Sequence, residues 1–352
     1  MDTYVLTVDE EHLTEGEFEP AVKILKEEGL VAFPTETVYG LGADALDEQA
    51  AKKIYAAKGR PSDNPLIVHI AEVSALDQLA VDVPKEAYQL AKKFWPGPLT
   101  MILKKSEIVP YGTTGGLDTV AIRMPSHPVA MQLIKESGLY IAAPSANSSG
   151  KPSPTLASHV LNDLNGKIDM VIDGGKAVIG LESTIVDLTG DLPMILRPGY
   201  ITKHMLEEVL GPVEYDSVVV QKKADPSIRP KAPGMKYKHY APEGDLTIYE
   251  GPVDAVVERI NEVAKGAINQ GQTVGIIATE ETKDRYSYGT VKTIGSREHE
   301  DTIAAGLYAV LREFDENKTQ IICSESFYDE QLGQAIMNRL VKAAGYQIIK
   351  VQ

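Results

Sequence analysis

Cysteine is almost missing from this sequence, which has one, Cys323, among 352 residues. A single thiol cannot close an internal disulfide or build a cysteine zinc cluster, and it is typical of a reducing compartment. The sequence also lacks a run of roughly 18 apolar residues that could span a membrane. Residues 1–19 lack the basic start and apolar middle of a signal peptide. We therefore expect a cytoplasmic protein without a membrane partner.

Positive charge is in deficit. Lys and Arg number 35 against 50 Asp and Glu, which gives a net charge of −15. Such a surface repels polyanions, so bulk, sequence-independent binding of nucleic acid is not expected. A local basic groove is still allowed, because the deficit is an average over the whole chain.

Motifs of the common catalytic classes are missing as well. The sequence has no Walker A loop, no G-x-S-x-G elbow and no H-E-x-x-H motif. Residues 40–45 (GLGADA) fit a loose dinucleotide fingerprint, but no clean apolar strand precedes them. Residues 148–151 (SSGK) fit S-x-x-K, but no K-T-G follows. We favour chance for both matches.

Length and apolar pattern predict two α/β domains and a linker between them. Residues 1–215 predict a mixed, twisted sheet with helices. Residues 244–352 alternate strand and helix regularly, which is typical of a small Rossmann-like domain with a parallel sheet. No glycine fingerprint follows its first strand, so dinucleotide binding is not supported. The clearest helices are predicted at residues 17–28, 48–58, 85–94, 128–137, 253–269, 301–314 and 330–344.

The linker, residues 216–243, has an unusual composition. Its part from 222 to 240 (KKADPSIRPKAPGMKYKHY) contains six Lys or Arg, one acid and three prolines, which favours an extended chain. A solvated spacer is the simple interpretation. The two tyrosines within residues 236–240 favour a functional segment instead.

Two loops of the first domain carry groups suited to anions. Residues 57–65 (AKGRPSDNP) place Lys58 and Arg60 two positions apart, followed by a hydroxyl and an amide. Fixed cations can neutralise a polyphosphate during displacement at phosphorus. Residues 143–150 (APSANSSG) follow an apolar strand with small hydrogen-bonding side chains. A solvated helix end and an ordinary turn are the alternatives.

Single polar residues in the same domain add to this pattern. Thr35 opens the loop after one predicted strand, Ser183 precedes another, and Arg123 and Arg197 each end an apolar strand. An arginine in such a position is usually a surface residue, and His69 is an ordinary sheet histidine when it is considered alone. The two arginines, together with Lys58 and Arg60, form a basic minority in an acidic protein, which favours one shared site.

Six short motifs occur in order along the first domain: residues 33–42 (FPTETVYGLG), 58–60 (KGR), 95–100 (WPGPLT), 144–147 (PSAN), 182–184 (EST) and 197–199 (RPG). Together they resemble the signature of the L-threonylcarbamoyladenylate synthases, the YrdC-type enzymes. Residues 233–242 (PGMKYKHYAP) and the Rossmann-like tail resemble the long, two-domain form. The resemblance covers the whole chain.

This resemblance implies a nucleotidyltransferase that converts L-threonine, bicarbonate or CO2, and ATP into L-threonylcarbamoyl-AMP and pyrophosphate. Downstream machinery would use the product to modify tRNA beside the anticodon. The threonine amine would form a carbamate, and a carbamate oxygen would attack the α-phosphorus. The enzyme must then bind three anionic species together, which explains the basic minority in an acidic chain. The reaction needs no covalent nucleophile, which agrees with the missing G-x-S-x-G elbow.

The resemblance also implies residue roles, with Lys58 and Arg60 as the catalytic pair. The threonine set is Thr35, His69, Arg123, Ala143 and Ser183, with the arginine facing the carboxylate. The ATP set is Lys58, Arg60, Ser62, Asn64, Thr119, Ser145, Asn147, Ser153 and Arg197, with Tyr237, His239 and Tyr240 from the linker. Mg2+ is expected with ATP, held by phosphate oxygens and water rather than by a protein cage.

Two other functions stay open. A basic cleft on the first domain could hold RNA, such as a tRNA, without catalysis of its own, although the acidic total opposes this. A carbamoyltransferase or hydrogenase-maturation activity on the same fold is expected to bring zinc-finger cysteines, and one cysteine argues against it.

The basic, aromatic linker generates a prediction of its own. We interpret it as a lid that excludes water from a labile carbamate and adenylate. Tyr237→Ala should therefore lower the yield of adenylate, and so should a chain that ends at Gly211. Threonine-dependent release of pyrophosphate measures both effects, and an unchanged rate in both proteins would contradict the lid.

Overall fold

The computed structural model describes residues 2–220, 230–233, 240–327 and 332–352. Two compact units emerge from the contacts within the chain. The first comprises Met1–Ser149, Ser153–Val178 and Glu182–Tyr237, and the second comprises Gly150–Pro152, Ile179–Leu181 and Lys238–Gln352. The predicted extent of the linker, residues 216–243, stays a prediction because much of that segment lies outside the described residues.

The first unit is built on a mixed sheet of eleven strands. In chain order these are β1 (Tyr4–Thr7), β2 (Val31–Phe33), β3 (Gly40–Asp44), β4 (Ile67–His69), β5 (Leu99–Lys104), β6 (Thr119–Arg123), β7 (Ile141–Ala142), β8 (Met170–Asp173), β9 (Thr184–Asp187), β10 (Met194–Arg197) and β11 (Glu214–Tyr215). Their order across the sheet is β1-β8-β2-β3-β7-β4-β6-β5-β9-β10-β11. Strand β6 is parallel to β4 and antiparallel to β5, so the predicted mixed sheet is confirmed.

Nine helices accompany the described part of this sheet. They are α1 (Glu19–Lys26), α2 (Glu48–Lys58), α3 (Leu76–Leu79), α4 (Lys85–Phe94), α5 (Tyr111–Thr114), α6 (Pro128–Ser137), α7 (Ala157–Leu164), α8 (Lys203–Leu210) and α9 (Ser217–Val220). Helix α2 shows how sequence sets such bounds. The Asp47 side chain accepts hydrogen bonds from the N–H groups of Gln49 and Ala50, and Gly59 ends the helix at a φ of 61°. These caps fix Lys58 as the last residue of the helix.

Apolar side chains alternate between the two faces of the sheet. In β2, Ala32 belongs to one buried cluster, whereas Val31 and Phe33 belong to the cluster on the other face. This alternation follows from the two-residue period of a strand. Both faces are covered by helices, and among the described residues no helix is long and apolar enough to cross a membrane.

Strand β3 differs from the sequence-based interpretation. The pattern of residues 40–45 fits a loose dinucleotide-binding fingerprint, which is typical of a loop. In the structure, Gly40–Asp44 is instead a strand paired with β2 on one side and β7 on the other. A Cβ on Gly42 would lie 2.7 Å from the Phe33 ring and 2.8 Å from Ile141 Cγ2. The glycine therefore allows close packing within the sheet.

The second unit contains a five-stranded sheet in which every neighbouring pair is parallel. Its strands are β12 (Asp245–Glu250), β13 (Val274–Ala278), β14 (Thr290–Thr293), β15 (Ile321–Glu325) and β16 (Ile348–Lys350), in the order β14-β13-β15-β12-β16. Its helices are α10 (Val253–Asn269), α11 (Glu300–Glu316) and α12 (Gly333–Ala343). The predicted Rossmann-like parallel sheet is confirmed.

Close packing of β13 against α11 generates a stability prediction. A Cβ on Gly275 would lie 2.4 Å from the Phe314 ring, whereas a Cβ on Gly266, in the exposed side of α10, would meet nothing within 4 Å. Gly275→Ala should cost about 1–3 kcal/mol of unfolding free energy through overpacking. Gly266→Ala should stabilise by roughly 0.5–1 kcal/mol, because alanine favours helix.

Chemical unfolding of the whole chain, followed by far-ultraviolet circular dichroism, measures both variants. The two substitutions add the same methyl group to the same unit. Effects of equal sign would contradict the packing described for Gly275.

Candidate active site

Strand register brings three polar side chains to one face of the first unit's sheet. His69 at the end of β4 lies opposite Arg123 at the end of β6, and Arg123 lies opposite Thr100 in β5. Directly opposed residues point to the same face. Ser183, just before β9, joins them because its Oγ lies 2.7 Å from Thr100 Oγ1. Residues far apart in sequence therefore form one polar surface on that face.

Arg123 is at the centre of this surface and is only 4% exposed. Its Nη1 donates to Thr37 Oγ1 at 2.9 Å and its Nε donates to the Gly97 carbonyl at 3.4 Å. Its Nη2 lies 2.7 Å from Glu36 Oε1, an ion pair without the geometry of a hydrogen bond. Within the described residues, Nη2 and both Glu36 oxygens thus have no hydrogen-bond partner. A buried cation and a buried carboxylate with unused capacity are suited to a ligand that carries both charges.

The loop between β2 and β3 delivers Glu36 and Thr37 to the arginine. Thr35 shapes this loop, because its hydroxyl donates to the Val38 carbonyl at 2.6 Å and accepts from the N–H groups of Thr37 and Val38. The Thr35 and Thr37 hydroxyls lie 2.7 Å apart. The local turn is therefore built from threonine side chains, and it presents polar groups where a strand ends.

Arg197 lies against Ser183. Its Nε donates to the Ser183 carbonyl at 3.0 Å and its Nη2 donates to Ser183 Oγ at 3.1 Å. Its Nη1 donates to the carbonyl of Pro233, in the linker, at 3.4 Å. The family resemblance implies that Arg197 binds ATP and Ser183 binds threonine, so the contact between these two residues joins the two expected sets.

Lys58 organises the loop that follows β7. Its Nζ donates to the carbonyls of Ser145 and Asn147, and its own carbonyl accepts from the N–H of Ser149 at 2.8 Å. The side chain is 4% exposed. The buried ammonium group orders this loop because it donates hydrogen bonds to two of the loop's carbonyls. Its positive charge therefore lies next to any group that the loop binds.

Arg60 and its neighbours form the turn that precedes β4. Arg60 Nη2 donates to the carbonyls of Asn64 and Pro65 at 3.3 and 3.1 Å. Asn64 is buried, and its Oδ1 has no hydrogen-bond partner among the described residues, whereas Ser62 is exposed. The arginine thus fixes the turn that leads into β4.

The site is elongated along β4 and β6. Ile67 lies beside Ala121, and the N–H of Ala143 donates to the Ile67 carbonyl at 2.8 Å. The loops before β4 and after β7 therefore lie toward the Thr119 end of β6, while Arg123 is the other end. A strand of this length spans roughly 13 Å. Lys58 and Arg60 belong to the loops at the first of these ends. The two predicted sets are nevertheless in contact, because Arg197 of the ATP set donates to Ser183 of the threonine set. The loop between β2 and β3 also meets the loop after β7, at a bridge between Gly40 and Ser145.

His69 is an uncharged member of the arginine end. Burial, followed by the positive charge of Arg123, lowers the pKa of His69 from 6.5 to about 3. Its Nδ1 lies 3.1 Å from the Ile67 carbonyl, and its ring meets that of Phe33 edge to face at 6.3 Å. At pH 7 the imidazole is therefore uncharged, and it lines the site as a polar group rather than as a second cation.

Three predicted site residues come from the linker. Tyr237 and His239 lie outside the described residues. Tyr240 belongs to the second unit, where it is buried and its ring centroid lies 5.3 Å from that of Tyr308 on α11. Ser153, in the first unit, donates from its hydroxyl to Glu182 Oε1.

Sequence reasoning left out four residues that the structure adds: Glu36, Thr37, Thr100 and Glu182. Each lies inside one of the six motifs of the first domain, but the resemblance implies no role for it. All four are buried polar groups in contact with a predicted site residue. A signal was available in the polar side chains that interrupt otherwise apolar strand ends.

Comparison with known proteins covers both units. A family described as "Telomere recombination" matches residues 23–199, and a family described as "Threonylcarbamoyl-AMP synthase, C-terminal domain" matches residues 201–345. Threonylcarbamoyl-AMP synthase from Bacillus subtilis (strain 168) is 51% identical over 99% of this chain and 98% of its own length. The protein of the same name from Pyrococcus abyssi is 50% identical over 97% of this chain and 98% of its own.

A solved structure of P. abyssi Sua5 complexed with L-threonine is similar with a TM-score of 0.93 and 48% identity, covering 99% of this chain and 100% of that one. The matches, the two-unit fold and the polar site define an enzyme of the nucleotidyltransferase class. More closely, the chain belongs to the threonylcarbamoyl-AMP synthase family. The resemblance drawn from the sequence motifs is thereby confirmed.

The lowered pKa of His69 predicts a dependence of stability on pH. The unfolded chain takes up a proton near pH 6.5, but the folded chain does so only near pH 3. This contribution to stability is complete above about pH 6.5 and is lost as pH falls toward 3, by at most about 1.4 kcal/mol per pH unit. His69→Gln should therefore lose less stability than the wild type between neutral pH and about pH 5.

Melting temperatures at the two pH values test this. His204→Gln, an exposed substitution on α8, is the matched control and should behave as the wild type. An identical pH response in the His69 variant would show that this histidine does not titrate as described.

Proposed function

We propose that this chain forms L-threonylcarbamoyl-AMP and pyrophosphate from L-threonine, bicarbonate or CO2, and ATP. The product would pass to the machinery that modifies tRNA next to the anticodon. One observation supports the proposal: a polar site in the first unit combines a buried arginine and a buried carboxylate that have unused hydrogen-bonding capacity with cations that are held by backbone carbonyls.

Threonine fits the arginine end by charge. Its carboxylate would bind Arg123, and its amino group would face Glu36, which lies 2.7 Å from the arginine. The hydroxyls of Thr35, Thr100 and Ser183 suit the threonine hydroxyl, and Ala143 offers only a methyl group, which leaves room for a small side chain. The P. abyssi relative solved with L-threonine supports this choice of amino acid.

ATP fits the cationic end. Lys58 and Arg60 are held in place by backbone carbonyls, so their charges would be oriented before the nucleotide arrives. Preorganised charge of this kind stabilises the charge that develops during displacement at phosphorus. Asn64, Ser145 and Asn147 line the same loops and would bind the nucleotide through polar atoms. The contact between Arg197 and Ser183 would couple the two substrates.

The chemistry follows from this placement. The threonine amine attacks the carbon of CO2, loses a proton and becomes a carbamate. A carbamate oxygen then forms a bond to the α-phosphorus of ATP while the bond to the pyrophosphate oxygen breaks. Glu36 would accept the amine proton. The protein supplies position and charge, and no side chain forms a covalent intermediate.

Mg2+ enters the proposal as a companion of ATP. Across the described ranges no group of three His, Cys, Asp or Glu side chains could hold a metal ion. The ion would therefore be carried by phosphate oxygens and water, where it neutralises the charge of the polyphosphate. The cytoplasm is the proposed compartment, because a chain with a single, buried cysteine suits a reducing environment.

An RNA-binding module without catalysis is the weaker candidate. Nucleic-acid backbones are gripped by accessible Lys and Arg side chains. Lys58, Arg123 and Arg197 are each only 4% exposed, so they cannot meet a phosphate backbone. Buried cations of this kind suit small anions that enter the site.

Mass spectrometry tests the proposed reaction directly. The whole chain is incubated with ATP, L-threonine and bicarbonate, and each substrate is omitted in turn. A product with the mass of threonylcarbamoyl-AMP is expected only in the complete mixture. Its absence there would reject the proposed function, and filter binding of tRNA at two salt concentrations would then test the RNA alternative.

Arg123→Ala generates the sharpest prediction for the site. Loss of the guanidinium removes a charge-assisted contact to the threonine carboxylate, so KM for threonine should rise roughly tenfold or more while KM for ATP changes little. Arg123→Lys keeps the positive charge but loses the paired N–H donors of the guanidinium, so its KM for threonine should lie between those of the wild type and Arg123→Ala.

Steady-state release of pyrophosphate measures both constants. Lys92→Ala, an exposed substitution on α4, serves as the control. Equal increases in KM for both substrates would show that Arg123 does not bind threonine.

A further inference from the structure

The second unit contains a cavity of about 310 Å³ that the reaction above does not use. Its walls include Glu250 and Gly251 at the end of β12, Glu325 and Ser326 at the end of β15, and Arg297 from the loop after β14. Cavities that hold small molecules begin at about this size. All of these residues belong to one unit.

Topology places the cavity at a switch point of the sheet. Strands β12 and β15 are neighbours. The chain leaves β12 through α10 toward β13, but it leaves β15 through α12 toward β16, on the opposite side. Right-handed crossovers then put the two helices on opposite faces, which opens a crevice at the carboxyl ends of β12 and β15. Parallel α/β sheets bind ligands in this crevice.

Glu325 is a buried carboxylate that pairs with Arg297. It is 1% exposed, and its Oε1 accepts hydrogen bonds from Thr282 Oγ1 and, at 2.7 Å, from the Tyr286 hydroxyl. Its Oε2 pairs with Arg297 Nη2. Burying such an ion pair adds little net stability, so stability alone does not explain the network. It does hold the guanidinium in one orientation at the cavity wall.

Arg297 retains binding capacity in that orientation. Its Nη1 donates to the Ser326 carbonyl at 3.1 Å, and the guanidinium lies 5.3 Å from the centre of the Phe327 ring. Its buried Nε has no hydrogen-bond partner among the described residues, and 34% of the side chain is exposed. Helix α10 begins beside it at Val253, and no described side chain caps that end. An N–H donor, a positive charge and a helix N-terminus all favour a carboxylate.

Glu250 supplies the opposite charge. Its ion-pair partner among the described residues is Lys350, whose Nζ is 3.9 Å away on a side chain that is 71% exposed. Such a pair is weak and easily exchanged for another cation. The Glu250 carboxylate lines the same cavity as Arg297 and is available to an ammonium group.

We propose that this cavity binds a small zwitterion, a free α-amino acid. Its carboxylate meets Arg297 and the first turn of α10, and its ammonium meets Glu250. A nucleotide does not suit the cavity, because its phosphates would face two carboxylates with one arginine, and no glycine fingerprint follows β12. This site lies in the second unit and does not depend on the function proposed for the first.

Saturation-transfer NMR on the whole chain, with each of the common L-amino acids as probe, identifies the binder. Calorimetry then gives its Kd for the wild type and for Glu250→Gln. We expect Glu250→Gln to weaken binding roughly tenfold or more, since a charge-assisted contact to the ammonium is lost. Glu258→Gln, an exposed substitution on α10, is the matched control and should leave Kd unchanged.

Analogues and a second variant separate the alternatives. The α-hydroxy acid lacks the ammonium and the corresponding amine lacks the carboxylate, so both should bind at least roughly tenfold more weakly. Arg297→Lys should also weaken binding, but it disturbs the Glu325 pair, so Glu250→Gln carries the test.

Three results would overturn the proposal: no amino acid binds the wild type, Glu250→Gln binds as tightly as the wild type, or the hydroxy acid binds as tightly as the amino acid. A fourth result, binding that is abolished by Arg123→Ala but not by Glu250→Gln, would place the binding site in the first unit and would also overturn the proposal. The yield of threonylcarbamoyl-AMP is a separate measurement, so failure of either proposal is recognised independently.

Discussion

Burial of positive charge is the constraint on which the candidate active site depends. Lys58, Arg123 and Arg197 are each 4% exposed in a protein whose net charge is −15. A buried cation is tolerated only when polar groups surround it. Lys58 therefore gathers two loop carbonyls, Arg197 takes both acceptors of Ser183, and Arg123 draws in the loop of Glu36 and Thr37. The need to satisfy these charges shapes the loops into one site.

The second unit meets the same constraint with the signs reversed. There a buried carboxylate, Glu325, collects donors from three positions and in doing so orients Arg297. In each unit one charged group is held by hydroxyl partners, with a backbone carbonyl as well in the case of Arg123. The group of opposite charge beside it keeps unused hydrogen-bonding capacity. Such an arrangement contributes little to stability, but it prepares a site for a charged ligand before that ligand arrives.

Regular elements with strong patterns could be predicted, and those with weak patterns could not. Helices α2, α4, α6 and α10 have the predicted bounds, because their apolar spacing is a local signal, and α2 and α6 also end at glycines in the left-handed conformation. Strand β3 was missed because two glycines resemble a loop. Strand β14 was missed because it is an edge strand without a fully buried residue, so it needs no apolar run. The resemblance supplied the site residues, but it gave no role to Glu36 or Thr100.

By itself the sequence determined the family, the two α/β folds and the motifs that carry the site, since these depend on residue types and local spacing. Only the tertiary structure decided which polar groups meet. Arg123 binds Thr37, 86 positions earlier, and Ser183 meets Thr100, 83 positions earlier. The cavity in the second unit could not be predicted from the sequence either, because its walls come from the ends of strands that are adjacent only in the folded sheet. Register between distant strands is set by the packing of the whole sheet, which no local pattern encodes.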